Sequence, residues 1–160
     1  MNDTNFADLA APALTHVFDL EVTIAPALEL GQVGGGRRRA IPLTGGLLRG
    51  NNIAGVVLPG GADWQTLRPD GMTQLVARYT LRMDDGTVVG VVNSGVRRAA
   101  PEIAERLANG EMVDPSLYYF RATPVFDVGP GPFQWLTKSV FLSVGVRHPD
   151  RVLLRVFRVD

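Results

Sequence analysis

The chain has 160 residues, 46% hydrophobic and 20% charged, with sixteen basic and sixteen acidic side chains and no net charge. That length gives one domain, residues 1–160, with enough apolar material for a core, and the composition excludes a disordered chain. The charge balance excludes a protein built around a strong basic field, so no nucleic acid is expected as a partner.

Cysteine is absent, which removes disulfides, thiolate metal sites and a cysteine nucleophile from consideration. Lys138 is the only lysine, so the basic set is nearly all arginine, as the codon bias of a GC-rich genome would give. Residues 1–13 open Met1-Asn2-Asp3-Thr4-Asn5, without the basic start of a signal peptide, and read as a flexible N-terminal segment. No apolar run approaches the ~20 residues of a membrane-spanning helix. A cytoplasmic protein with no membrane partner is expected.

In chain order, His16 to Ile24 alternates apolar and polar residues, the mark of a half-buried strand. Pro26 breaks it, and Gly31 to Gly36 reads as a flexible loop. Arg39 to Thr44 and Asn52 to Leu58 are strands on either side of Gly45-Gly46. Pro59-Gly60-Gly61 is a sharp bend, after which Ala62 to Leu67 continues as strand. Arg68-Pro69-Asp70-Gly71 is a turn with proline and glycine suitably placed. Met72 to Met83 is the longest strand, and Asp84-Asp85-Gly86 closes a hairpin into Thr87 to Asn93.

Pro101 to Ala108 reads as the one short helix, with Pro101 in the first turn, Glu102 complementing the dipole and Gly110 as the stop. Strands follow at Ser116 to Thr123, Gln134 to Val146 and Arg151 to Val159, separated by the Gly129-Pro130-Gly131-Pro132 loop and a His148-Pro149-Asp150 turn. Short strands at this spacing predict an all-β fold, a small antiparallel β-barrel of about eight to ten strands with one short helix. A barrel of about eight strands has room for one small ligand.

Alternation sorts side chains onto faces. Ala77, Tyr79, Leu81 and Met83 share one face; Leu117, Tyr119, Arg121 and Thr123 share another, opposite Tyr118, Phe120 and Ala122. Within Gln134 to Val146, Leu136, Val140, Leu142 and Val144 form an apolar stripe suited to core or interface. Trp135, Thr137, Ser139, Phe141 and Ser143 form a mixed stripe suited to a cavity wall. The bend before Asp63-Trp64 presents a carboxylate beside an indole. Such a carboxylate either has a raised pKa and serves as acid or base, or caps the bend through backbone N–H groups.

His16 and His148 are isolated, so no transition-metal site is expected. No G-x-S-x-G elbow is present, and Gly34-Gly35-Gly36-Arg37-Arg38-Arg39 lacks the Lys-Ser or Lys-Thr of a phosphate loop. No cofactor is expected. Carboxylate, tyrosine and arginine are what remain for chemistry, and they support proton transfer and enolate or oxyanion stabilisation.

The order of several motifs is distinctive: Ile41-Pro42-Leu43-Thr44-Gly45-Gly46, Leu58-Pro59-Gly60-Gly61-Ala62-Asp63-Trp64-Gln65, Arg68-Pro69-Asp70-Gly71, Ala77-Arg78-Tyr79-Thr80-Leu81, Tyr118-Tyr119-Phe120-Arg121 and Gln134-Trp135-Leu136. Over about residues 14 to 160 the chain resembles the bacterial and fungal domain of unknown function 3237 family. The resemblance implies a small β-barrel and no assigned activity. The chain departs from the family pattern at Ser94, where a basic residue is expected, and at Thr137, where an asparagine is expected.

The residues point to a cofactor-independent isomerase, cyclase or lyase acting on a small apolar carbonyl-containing metabolite inside the barrel. Asp63 is the candidate acid or base, and Tyr79 and Arg121 the candidates for stabilising charge on oxygen. Trp64, Asn93, Tyr119, Trp135 and Thr137 are candidate substrate-binding residues. Two alternatives stay open: a non-catalytic small-molecule binder or carrier, and a homo-oligomeric structural module, dimeric or higher, packing through its apolar stripe.

Overall fold

The computed structural model describes residues 6–160. Its ten strands are β1 (Leu14–Ile24), β2 (Leu28–Val33), β3 (Gly36–Gly50), β4 (Ile53–Val57), β5 (Ala62–Leu67), β6 (Met72–Met83), β7 (Val88–Arg98), β8 (Tyr119–Asp127), β9 (Val140–Arg147) and β10 (Arg151–Val159). The helix α1 (Pro101–Ala108) lies between β7 and β8. All pairings are antiparallel. The order runs β1-β10-β9-β8-β7-β6-β4-β3, and a β1–β3 pairing closes the ring as an eight-strand barrel.

The two remaining strands extend existing staves. β4 and β5 both bridge β3 and β6, one beyond the other, and β2 follows β1 along the same edge of β3. Pro59 separates β4 from β5 because it has no N–H for the ladder. The ladder still holds across the break: Leu58 N donates to Thr80 O at 2.9 Å, and Leu43 N to Gly61 O at 2.8 Å.

β3 is long and must turn a corner to close the barrel. Gly46 makes that corner with φ of +144°, and a Cβ there would stand 1.9 Å from Glu21 O on β1. Only glycine fits such an approach.

The interior divides along the barrel axis. The end holding Met83 and Val89 is apolar and packed. Phe126 meets Phe18 and Phe141 edge-on, at centroid separations of 5.9 and 5.1 Å. A 3₁₀ turn, Gln134–Thr137, buries Leu136 into this end. The other end, beside α1, is lined partly by polar side chains. α1 is fixed there by Leu107, which is fully buried, and Gly110, at φ of +77°, terminates it.

Several element boundaries differ from expectation. Gly31 to Gly36 holds the end of β2 and the turn into β3 instead of a loop, and β3 runs unbroken through Gly45-Gly46. Gln134 to Val146 is not one strand: the segment begins as the 3₁₀ turn, and β9 starts only at Val140. The break shows that neither stripe is continuous, and it removes Val140 and Leu142 from the core, while the inward side of β9 is the mixed one. Phe141 and Ser143 point inward, while Val140 and Leu142 are exposed. Of the expected N-terminal segment, residues 1–5 lie outside the described residues, and Phe6 to Ala13 is exposed chain without strand or helix. Among the described residues, no helix is long and apolar enough to cross a membrane.

Candidate functional site

β5, β6 and β7 run side by side, and their register sets the site. Asp63 is level with Ala77, and Ala77 with Asn93. The two-residue period of a strand sends Asp63 and Gln65 inward and Trp64 outward. By the same period Tyr79 joins from β6 and Arg97 from β7. β3 places Arg39 opposite Gln65, and the end of β9 contributes Arg147. These polar groups share an interior cavity with apolar walls that include Val22, Leu43, Leu75, Phe120 and Leu154; Arg39 stands behind Gln65. The cavity volume is about 40 Å³, room for about three waters at ~10–15 Å³ each.

Hydrogen bonding fixes the orientation of the acid. Arg39 Nε donates to Gln65 Oε1 at 3.0 Å, and Gln65 Nε2 donates to Asp63 Oδ2 at 2.7 Å. A guanidinium can only donate, so it commits the amide oxygen of Gln65 and aims the amide nitrogen at Asp63. Asp63 Oδ1 is sealed from solvent and has no partner. The Tyr79 hydroxyl and Asn93 Oδ1 are likewise buried without one. Buried polar groups are normally satisfied. Asp63 Oδ1, the Tyr79 hydroxyl and Asn93 Oδ1 thus bring three unpaired polar atoms to one cavity.

Burial raises the Asp63 carboxyl above its ordinary value, and the Gln65 hydrogen bond and the Arg97, Arg39 and Arg147 charges only partly oppose the rise. Burial, reinforced by the Asp63 charge, also raises the Tyr79 phenol, so its hydroxyl stays protonated and available to donate. Burial and the neighbouring Arg39 and Arg147 push Arg97 down to about 10, which still leaves it charged at neutral pH. Arg39 and Arg147 are lowered by burial too. Among the described residues, no three His, Asp or Glu side chains gather into a metal-binding group.

Of the residues singled out from sequence, Asp63, Tyr79 and Asn93 come together here. The others do not. Trp64 is 48% exposed on the outer face. Arg121 and Tyr119 also face outward, stacked on each other with the guanidinium 5.1 Å from the ring centroid. Trp135 packs against Phe141 at the apolar end. Thr137 is exposed and donates to Gln134 O within the 3₁₀ turn. The Asp63 carboxylate accepts from Gln65, not from backbone N–H groups of the bend.

Gln65, Arg39, Arg97 and Arg147 were not among the sequence candidates. Gln65 was accessible to alternation, since it shares a face with Asp63. Arg97 and Arg147 were hidden by strand ends read too short, at Asn93 and Val146, whereas β7 runs to Arg98 and β9 to Arg147.

The family of proteins of unknown function DUF3237 matches residues 12–159. A relative from Clostridium acetobutylicum, a UPF0311 protein, is 40% identical over 146 residues, covering 91% of this chain and 92% of its own. The crystal structure of a conserved protein of unknown function from Rhodopseudomonas palustris superposes with a TM-score of 0.90 at 39% identity, covering 94% of this chain and 99% of that one. A structure described as an enzyme from Penicillium herquei shares the fold, with a TM-score of 0.72 at 20% identity over 96% of this chain and 98% of its own.

Proposed function

The chain belongs to the DUF3237 family, and from that premise we propose that its barrel is a cofactor-independent acid–base enzyme, an isomerase, cyclase or lyase, acting on a small carbonyl compound in the cytoplasm. One observation carries this reading. Asp63, with a raised pKa and a free Oδ1, shares the barrel cavity with a protonated, unpartnered Tyr79 hydroxyl. The Penicillium herquei protein described as an enzyme gives the barrel a catalytic precedent but no residue roles.

The chemistry follows from the two groups. Ionised Asp63 takes a proton from the carbon beside a substrate carbonyl; the C–H electron pair becomes the enolate C=C bond, and the C=O π pair moves to the oxygen. Tyr79 donates a hydrogen bond to the enolate oxygen. Protonated Asp63 then returns the proton to carbon in an isomerisation, to the group the enolate expels from the β-carbon in an elimination, or to the electrophile's oxygen when the enolate carbon attacks it in a cyclisation. A carboxyl tuned upward is suited to both halves of this cycle, because acid–base efficiency peaks when the pKa lies near the working pH. At about 40 Å³ the cavity is well under the ~300–1,000 Å³ of drug-sized sites, so its walls must move outward to admit a carbonyl compound the size of pyruvate or acetylacetone.

The test is proton exchange in D₂O, read by ¹H NMR on acetylacetone and pyruvate. The wild-type protein should exchange the acidic C–H at a rate about 10²–10⁴-fold above that of Asp63→Asn. Equal rates for the two proteins would remove the acid–base role. Reversible binding without exchange would make the protein a carrier.

A further inference from the structure

Positive charge in the polar end of the barrel is in excess. Arg97 and Arg147 line the cavity and Arg39 stands directly behind Gln65, and all three are at least nine-tenths buried. Against them stands one acid within the cavity, Asp63; the exposed acids around it are Glu29, shared between Arg37 at 3.7 Å and Arg39 at 4.0 Å, Glu105, which acts on Arg39 only through its field, and Asp150, which does the same for Arg147. Those outer acids are solvated, so within the cavity two lining cations face one carboxyl.

The guanidinium groups are also under-used as donors. The Arg97 guanidinium has no hydrogen-bonding partner among the described residues, only a position 6.0 Å from the Phe120 ring centroid. Arg147 gives one nitrogen to His148 O, and its Nε is buried without a partner. Arg39 donates to Gln65 Oε1 and Ala108 O, which leaves Nη2 unpaired. Unpaired buried charge is costly, and an anion bound beside it would offset that cost.

We infer that the substrate of this cavity carries its own carboxylate, received by Arg97 and Arg147, with its adjoining carbonyl turned toward Asp63 and Tyr79. The inference rests on the acid–base reading for the second half of that pose and stands without it for the first. A planar monoanion fits better than phosphate. Most of the cavity wall is apolar, the volume is small, and α1 turns its carbonyl end, not its amide end, to this site through Ala108 O. Arg39 acts behind the site: it holds Gln65 and adds field.

The test is calorimetric titration with sodium propionate and sodium pyruvate, each against its neutral amide, at constant ionic strength in chloride. Each carboxylate should bind about tenfold or more tightly than its amide, and Arg97→Gln should lose that preference. Asp63→Asn should keep it. Should Arg97→Gln fail to fold, Arg147→Gln and the acid-against-amide comparison in the wild-type protein decide the matter. Equal affinity for acid and amide, unchanged affinity in the arginine variants, or binding of inorganic phosphate without any carboxylate would each overturn the inference. Carboxylate binding without proton exchange would leave this inference standing and remove the acid–base function. Exchange on acetylacetone without carboxylate binding would do the reverse.

Discussion

Asp63 and Gln65 sit two residues apart on β5 with both side chains turned into the barrel, and Gln65 Nε2 donates to Asp63 Oδ2 at 2.7 Å. The bond favours the ionised carboxyl and so restrains a pKa that burial drives upward. Gln65→Leu removes the donor. The Asp63 pKa should rise further, since the lost hydrogen bond had favoured the ionised form. Carboxyl ¹³C chemical shifts against pH would measure it, and an unchanged pKa would mean that Gln65 does not tune the acid.

The raised Asp63 pKa has a signature in stability. The folded protein holds this proton above the ordinary 3.8 of the unfolded chain. Its contribution is therefore fully present below 3.8 and is lost as pH rises through the folded value. Asp63→Asn should remove this decline. Melting temperatures of the two proteins, subtracted across pH, should diverge in favour of the variant above 3.8. The subtraction cancels surface carboxyls such as Asp19, lowered chiefly by its Arg155 hydrogen bond, whose contribution is lost in the opposite direction, as pH falls.

Tyr79→Phe should separate stability from turnover. The hydroxyl is buried without a partner, an arrangement that costs ~1–3 kcal/mol. The variant should melt at the same temperature or higher, while proton exchange on the D₂O substrates falls about 10²–10³-fold, as for loss of one oxyanion donor. A destabilised variant would mean that the hydroxyl has a partner in solution.

Gly145 on β9 lies against the Phe120 ring, and a Cβ there would stand 2.4 Å from ring Cδ1. Phe120 is a cavity wall. Gly145→Ala should push the ring and cost ~1–3 kcal/mol as overpacking. Propionate binding should weaken with it, by calorimetry. A stable variant with unchanged binding would place the strain elsewhere.

Outward-facing candidates give the matching control. Trp64→Ala and Arg121→Ala alter residues on the barrel exterior. Both should exchange substrate protons at the wild-type rate, and a loss in either would relocate the site to that surface.

Much of this architecture was legible in the residues themselves. The Met72–Met83 and Ala62–Leu67 strands, the Pro101–Ala108 helix and the final strand are local features, written in alternation, proline placement and turn chemistry. The motif order resembled the family, and a barrel followed. The inward direction of Asp63 was not legible, because alternation pairs residues on a face without saying which face is inside. The same limit misplaced Arg121 and Tyr119, which alternate correctly but sit outside, with Phe120 and Ala122 within. Closure decided it. The β1–β3 pairing gave every strand one interior side, and strand register brought Asp63, Asn93, Arg97 and Arg147, up to 84 positions apart in the chain, onto one cavity. Contacts between strands so distant in sequence depend on register, which is set by packing across the whole sheet rather than by any one segment.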